Sequence, residues 1–193
     1  HSGPSGMKYN PGTALNEDWK NKFFLVEFVG SPSNSKLWSF ELAPKGAGFD
    51  FVEEEKIVSG ILPEGIDFGP DGALYMTDWI DGWGTTEQGR IWKMDVATNP
   101  NPLRAATKML LAASFKEKGN DELGELLKHA DKRVRQKAQF ELAKRDQEGY
   151  QTLLAAAQQT EHQLARIHGI WGIGQLCRTV SVDFARALPK FLE

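Results

Sequence analysis

The sequence predicts about two β-propeller blades, an incomplete ring, followed by an all-α segment of HEAT-like helical repeats. Up to about residue 96 the chain has short apolar runs, such as FFLVEFV and ALYMTDW, separated by clusters of Gly, Pro, Asn and Ser, which is typical of β-strands. After ATNPNP, at residues 97–102, glycines become rarer and the apolar spacing becomes helical. Each half also repeats itself. We therefore predict two domains, 1–96 and 97–193.

The repeat in the first half is about 50 residues long, a period that favours a propeller. MKYNPGTAL aligns with IDFGPDGAL at an offset of 59, FFLVEFVG with LYMTDWID at 51, and KLWSF with RIWKM at 54. This alignment pairs Glu27 with Asp78, and Trp38 with Trp92. The equivalent positions indicate one structural unit that occurs twice, with insertions in its loops.

We assign the strands of the first blade to residues 6–10, 22–29, 36–43 and 49–59, and those of the second blade to residues 65–69, 73–79 and 89–95. The second blade lacks a fourth strand. A propeller needs about four to eight blades to close, so the predicted ring is incomplete. Its open edges then need cover from further blades, a partner chain, the helical half or self-association.

The second half repeats at an offset of 31 residues. DELGELLKHADKRVRQKAQFELAKR, at 121–145, reads as two helices joined by a turn, and the next stretch pairs with it, for example Leu142 with Ile173. Small residues at Ala138, Gly169 and Gly172 would let paired helices approach closely. Helix pairs of this kind resemble HEAT-like repeats, which act as scaffolds with a concave face.

Composition limits the classes of function. The 193 residues are 40% hydrophobic and 25% charged with a net charge of −3, which is typical of a globular domain and argues against nucleic-acid binding. The single cysteine, Cys177, excludes an internal disulfide and a CxxCH haem attachment within this chain. No apolar run approaches the length of a membrane span, and the first residues lack the layout of a signal peptide.

The candidate site lies in loops that a propeller places around its central funnel. Under our strand assignment, DWIDGWGTTEQGR, VGSPSNSK and GILPEG open on the same face. Acidic, indole and guanidinium side chains are concentrated there. The candidate ligand-binding residues are Glu27, Glu64, Asp78, Trp79, Asp81, Trp83 and Arg90.

These residues leave several chemical roles open. Carboxylates such as Asp78 and Asp81 are possible oxygen ligands for calcium, or one could be a general base whose pKa is raised by burial beside Trp79 and Trp83. The indole rings suit a sugar face or a flat quinone, and Arg90 an anionic cofactor. The structural alternative is that the two aspartates only cap turns. No catalytic residue is assigned.

Several motifs together resemble a known family. GPSGMKYNPGTAL, FFLVEFVGSP, PKGAGF, GIDFGPDGALYMTDWIDGWG and GRIWKM, followed by a HEAT-like array, resemble the bacterial proteins described as membrane-bound dehydrogenases. Their propeller is similar to that of the glucose/sorbosone dehydrogenases, which use pyrroloquinoline quinone. Many members continue into a carboxy-terminal c-type haem domain. The resemblance covers nearly the whole chain and is strongest in YNPGTAL and in DFGPDGALY to DWIDGWG.

The resemblance implies a periplasmic or exported oxidoreductase that acts on a sugar or another alcohol, with pyrroloquinoline quinone and calcium in the full-length protein. Its partners would be the remaining propeller blades and a c-type haem domain. This chain would supply the last two blades and part of the helical array, and would not be catalytically complete alone. The alternative expectation is a non-catalytic propeller/HEAT scaffold that binds a carbohydrate or another protein.

Overall fold

The computed structural model describes residues 3–80, 83 and 87–184. Within these ranges the chain forms two antiparallel sheets and five α-helices. The first sheet has the order β1-β2-β3-β4 and the second the order β5-β6-β7, so each sheet is a meander of neighbouring strands. The strands are β1 Gly3–Tyr9, β2 Phe23–Phe28, β3 Lys36–Lys45, β4 Gly48–Ser59, β5 Pro63–Phe68, β6 Leu74–Asp78 and β7 Arg90–Met94.

The seven strands begin and end within three residues of their predicted bounds. Pro70-Asp71-Gly72 forms the hairpin turn between β5 and β6, where the Gly69 N–H donates to the Ala73 carbonyl at 2.9 Å. Gly72 adopts a φ of 78° in this turn, a conformation that glycine reaches without steric cost. Local turn chemistry and strand periodicity therefore determine these elements.

The two sheets pack face to face around one apolar core. Phe24, Val26 and Leu37 of the first sheet are fully buried in it. The second sheet contributes the alternate side chains of β5 and β6, and Phe24 meets Phe68 edge to face at 5.4 Å between ring centroids. The side chains of the second sheet in this core are Ile66, Phe68, Leu74 and Met76.

The chain divides into two compact units, residues 1–108 and 109–193. The segment that follows β7 is held to the first unit by polar contacts. Arg104 donates two hydrogen bonds to Asp95, at 2.7 and 2.9 Å, and a third to the Asp71 carbonyl at 2.8 Å. Farther along, the Thr107 hydroxyl lies 3.3 Å from that of Thr13. These bonds explain why the first compact unit extends beyond its last strand.

The helices are α1 Arg104–Ala112, α2 Asn120–Leu126, α3 Lys132–Leu142, α4 Asp146–Gln158 and α5 Gln163–Thr179. The Asp131 carboxylate caps the first turn of α3 by accepting the Arg133 N–H at 2.9 Å. Lys137 donates to the Leu111 carbonyl at the end of α1, at 2.8 Å. None of the described helices combines the length and apolar character needed to cross a membrane.

Close approach of α4 and α5 depends on two glycines, as the sequence predicts. A Cβ atom on Gly169 would lie 2.7 Å from both the Ala157 nitrogen and the Leu153 carbonyl oxygen. A Cβ atom on Gly172 would lie 2.5 Å from the Leu153 side chain. Both glycines are buried. The larger side chains around them complete the core of the second unit, which includes Leu123, Leu127, Val134, Leu142, Leu153, Ile173 and Leu176.

We predict that Gly169→Ala lowers the free energy of unfolding of the helical unit by about 1–3 kcal/mol, because its Cβ would overlap backbone atoms that must then move. Denaturant unfolding followed by far-ultraviolet circular dichroism measures this loss. Gly174→Ala in the same helix is the matched control, since its Cβ would have no neighbour closer than 3.9 Å. The control should gain about 0.5–1 kcal/mol. Equal effects of the two substitutions would contradict the close packing.

Candidate functional site

The two sheets share one polar arrangement where their second strand ends. The Trp38 indole N–H donates to the Glu27 carboxylate at 2.9 Å, and the Trp92 indole N–H donates to the Asp78 carboxylate at 2.8 Å. These four residues occupy the equivalent positions of the sequence repeat. In each sheet a carboxylate on one strand is therefore joined to an indole on the next strand.

A cation completes each arrangement. The Lys36 ammonium lies 3.7 Å from the Glu27 carboxylate and 5.7 Å from the Trp38 ring centroid. Arg90 holds the equivalent place in the second sheet, paired with Asp78 in the strand register and 5.9 Å from the Trp92 ring centroid. We call these groups the indole triads, Glu27–Trp38–Lys36 and Asp78–Trp92–Arg90. A cation over an indole face adds electrostatic attraction to the hydrogen bond.

The Asp78 carboxylate is fully engaged by the protein. It is 4% exposed. One oxygen accepts the Leu62 N–H at 3.0 Å and the Ile80 N–H at 2.9 Å, while the other accepts the Trp92 indole. Asp78 therefore caps two backbone segments, which is the structural role left open by the sequence.

The pKa of Asp78 is lowered, which disfavours the general-base alternative for this residue. Burial acts to raise the pKa of this carboxyl group, but the hydrogen bonds from Trp92, Ile80 and Leu62 and the charge of Arg90 together lower it. A hydrogen bond donated to a carboxylate stabilises the charged form. Asp78 is thus ionised at neutral pH, and its low basicity is unsuited to a general base.

The aromatic candidates are brought together across the two sheets. Trp79 stacks on Phe28 with 6.3 Å between ring centroids, and Trp83 meets Trp79 edge to face at 5.3 Å. Trp83 is 74% exposed, and its indole nitrogen would lie 3.2 Å from a Cβ atom on Gly30. These rings give the loop end of the sheets an apolar surface that can receive a flat ligand.

Two further candidate ligand-binding residues, Glu64 and Asp81, add little to the described part of the site. Glu64 is exposed on β5, beside the position that pairs with Asp78. Asp81 lies outside the described residues, so its suggested role as a calcium ligand with Asp78 stays a prediction. Among the residues that the structure describes, no three His, Cys, Asp or Glu side chains are grouped as metal ligands. The described part of the site is therefore an aromatic surface beside a carboxylate whose two oxygens already accept three hydrogen bonds.

The sequence repeat extends farther than the aligned motifs indicated. The β1–β2 register shifts between Pro4 and Gly6, and the β5–β6 register shifts between Pro63 and Gly65. Both Pro-x-Gly pairs are separated by 59 residues, the offset already found for this part of the repeat. A bulge bends a strand and re-aims its side chains. The repeated Pro-x-Gly motif was the sequence signal that could have predicted this bulge.

The exposed face of the first sheet is also apolar, a feature that the sequence reading did not use. Tyr9, Phe23, Phe40 and Phe51 form a continuous row of ring contacts across all four strands, with successive centroids 4.7 to 5.1 Å apart. We call this surface the aromatic face. It also includes Met7, Leu25 and Trp38, and a shallow groove of about 390 Å³ crosses it beside Glu27 and Glu54.

Comparisons with known proteins give one distant likeness. No protein-family model matches the chain, and no curated protein does. A solved structure described as a glucose dehydrogenase matches with a TM-score of 0.36 and 22% sequence identity. The match covers 49% of this chain and 26% of that protein, so the chain spans about a quarter of its length.

We predict that Asp78→Ala lowers the free energy of unfolding of the sheet unit by about 3 kcal/mol, because three donors lose their acceptor. The loss should shrink as the pH falls through the lowered pKa of Asp78, since protonation removes the same stabilisation from the natural protein. Denaturant titrations followed by tryptophan fluorescence at neutral and acidic pH measure both effects.

Asp67→Ala is the control for this substitution. Asp67 is on the neighbouring strand, and its side chain is 73% exposed in an ion pair with Lys8. Exposed pairs contribute at most about 1 kcal/mol, so the control should change little. A small loss for Asp78→Ala, equal to that of the control, would contradict the capping role.

Proposed function

We propose that residues 1–96 are two successive blades of a propeller of the glucose/sorbosone dehydrogenase type, and that residues 97–193 are HEAT-like repeats. The observation that carries the blade assignment is that the two sheets contact each other with opposite, non-equivalent faces. The second sheet buries Leu74 and Met76. The equivalent residues of the first sheet are Phe23 and Leu25, which lie on the aromatic face.

This packing is directional. The first sheet meets the second with Phe24, Val26 and Leu37, whereas the equivalents of these residues in the second sheet lie on its other face. Two unlike faces therefore meet, as in a heterologous interface, which extends in series until a ring closes. A series of equivalent sheets arranged around an axis is the architecture of a propeller.

The aromatic face is the surface on which a preceding blade would pack in this proposal. Strands with apolar residues on both faces, as FFLV in β2, are typical of sheets covered on both sides. One side of β2 is covered within the described residues, and the other carries the exposed rings of Tyr9 and Phe51. The occupant would be another blade of the parent protein.

The proposed activity of that parent protein is the oxidation of a sugar or another alcohol, outside the cytoplasm, with pyrroloquinoline quinone and calcium, and with electron transfer to a c-type haem domain. It rests on the sequence resemblance. Asp78 alone does not make a calcium site, because calcium takes about six to eight oxygen ligands and three donors already engage this carboxylate. In this proposal the chain completes the ring of blades and supplies Trp79 and Trp83 to the loop surface that faces the ligand. It contributes no catalytic residue.

A binding scaffold without redox chemistry is the second candidate function. It is favoured by the engagement of Asp78 and Glu27 in hydrogen bonds to indoles, since these carboxylates then serve stability. In this case the exposed rings would hold a carbohydrate or another protein. The two candidates differ in one measurable property, namely turnover with a quinone.

We predict directional self-association of this chain, with the aromatic face of one copy against the outer face of the second sheet of another. Phe51→Lys on the aromatic face and Ile91→Lys on the outer face should each weaken association at least about tenfold, because each buries a charge. Phe51 is 57% exposed and Ile91 is 73% exposed, so both variants should fold. Sedimentation velocity over a concentration series measures the association.

Mixing the two variants tests the direction of packing. Each variant retains one intact face, so an equimolar mixture should form a dimer that neither variant forms alone. Met109→Lys, at a position 74% exposed in α1, is the control and should associate as the natural chain does. Association that depends on Phe51 but not on Ile91 would indicate like faces in contact and would contradict the blade proposal.

We predict that the complete gene product, supplied with pyrroloquinoline quinone and calcium, reduces an artificial electron acceptor when a member of a sugar panel is added. Residues 1–193 alone should give no turnover. Trp83→Ala in the complete product should raise the KM for the sugar or the Kd for the quinone several-fold, whereas Trp171→Ala in α5 should not. Absence of quinone binding by the complete product would refute the dehydrogenase proposal and leave the scaffold.

A further inference from the structure

The helical unit has an open groove between α3 and α5. Its volume is about 600 Å³, and it is lined by aromatic, amide and cationic side chains. Trp171 is 54% exposed and Phe140 is 43% exposed along it. α3 and α5 are each the second helix of a predicted helix pair, so the groove lies between equivalent helices of the two pairs. Exposed rings in a concave surface are typical of a binding site.

The charge of the groove is opposite to that of the whole protein. Lys132 and Arg178 line it, and no Asp or Glu is among the described residues of its lining. The sequence as a whole has 26 acidic and 23 basic residues. Neither Lys132 nor Arg178 forms a salt bridge in the described ranges, whereas Lys118 and Lys128, on the same unit, are paired with glutamates. These two cations are thus available to an anionic partner.

Behind the lining, the buried Arg135 adds a positive charge near His168, and Asp131 balances part of it. The Arg135 guanidinium is 6% exposed and donates to the carbonyls of His129 and Ala130, at 2.6 and 2.8 Å. His168 is held by the Gln139 side chain, with 2.8 Å between Nδ1 and Oε1. Burial and the charges of Arg135 and Lys132 lower the pKa of His168 to about 4. The imidazole is therefore neutral, and the positive field comes from the arginine and the lysine.

We infer that this groove binds an acidic peptide segment of a partner protein, with its carboxylates on Lys132 and Arg178 and an apolar side chain against Trp171. Charge complementarity selects an acidic occupant, and the rings require an apolar anchor on it. The exposed amide of Gln136 and the half-buried amide of Gln175 would meet the peptide backbone. A polyanion such as a nucleic acid fits less well, because the described lining of the groove carries two exposed cations, Lys132 and Arg178. The inference rests on the helical unit alone and is independent of the function proposed for the sheets.

The test uses the whole chain and a fluorescein-labelled peptide in which glutamates flank a single leucine. We expect saturable binding by fluorescence anisotropy, which weakens as the salt concentration rises. Replacing the glutamates of the peptide with glutamines should weaken binding at least about tenfold. The double substitution Lys132→Gln, Arg178→Gln should have a similar effect. Replacing the leucine with serine, or Trp171→Ala in the protein, should each weaken binding about fivefold.

A matched control variant distinguishes binding in the groove from nonspecific attraction of the acidic peptide to positive charge elsewhere on the protein. Lys116→Gln with Lys144→Gln removes two exposed cations that line a different groove of the helical unit, and it should leave peptide affinity unchanged. Circular dichroism checks that all the variants keep their helix content. The inference is overturned if the peptide does not bind saturably, if both double variants lose affinity equally, or if a single-stranded oligonucleotide binds more tightly than the peptide.

Discussion

The hydrogen bond between a strand-end carboxylate and an indole of the next strand is the contact on which the loop end of each sheet depends. The two oxygens of Asp78 accept hydrogen bonds from two backbone N–H groups and from the Trp92 indole. A buried carboxylate in such a place is stable only because each donor compensates part of its lost hydration. The same bond joins Glu27 to Trp38, so both sheets present their loops from a similar polar anchor.

The hydrogen-bond partners of Asp78 therefore indicate that this acidic residue stabilises the fold and does not transfer protons. Burial alone would have raised the pKa of Asp78, and its three donors together with the charge of Arg90 have the opposite and larger effect. What remains available to a ligand at this end is the aromatic surface of Phe28, Trp79 and Trp83. A ring surface selects flat or apolar ligand faces and leaves proton transfer to other groups.

Much of the fold followed from local signals, whereas the site did not. The strands and the glycine contacts of α5 were predicted because strand periodicity, turn chemistry and small residues at a crossing act over short distances. The roles of Asp78 and His168 required long-range partners, Leu62 and Gln139, which lie 16 and 29 residues away.

The sequence by itself determined that the chain has a strand-rich part and a helical part, that each part repeats, and where its turns fall. These properties depend on the order of neighbouring side chains. Only the tertiary structure decided which face of each sheet is covered and that the residues of each indole triad are in contact. It also decided that Lys132 and Arg178 lie beside Trp171 in a groove whose described lining has no acidic residue. Such properties depend on groups that meet only after the chain has folded, because burial and electrostatic interaction are set by distance in space.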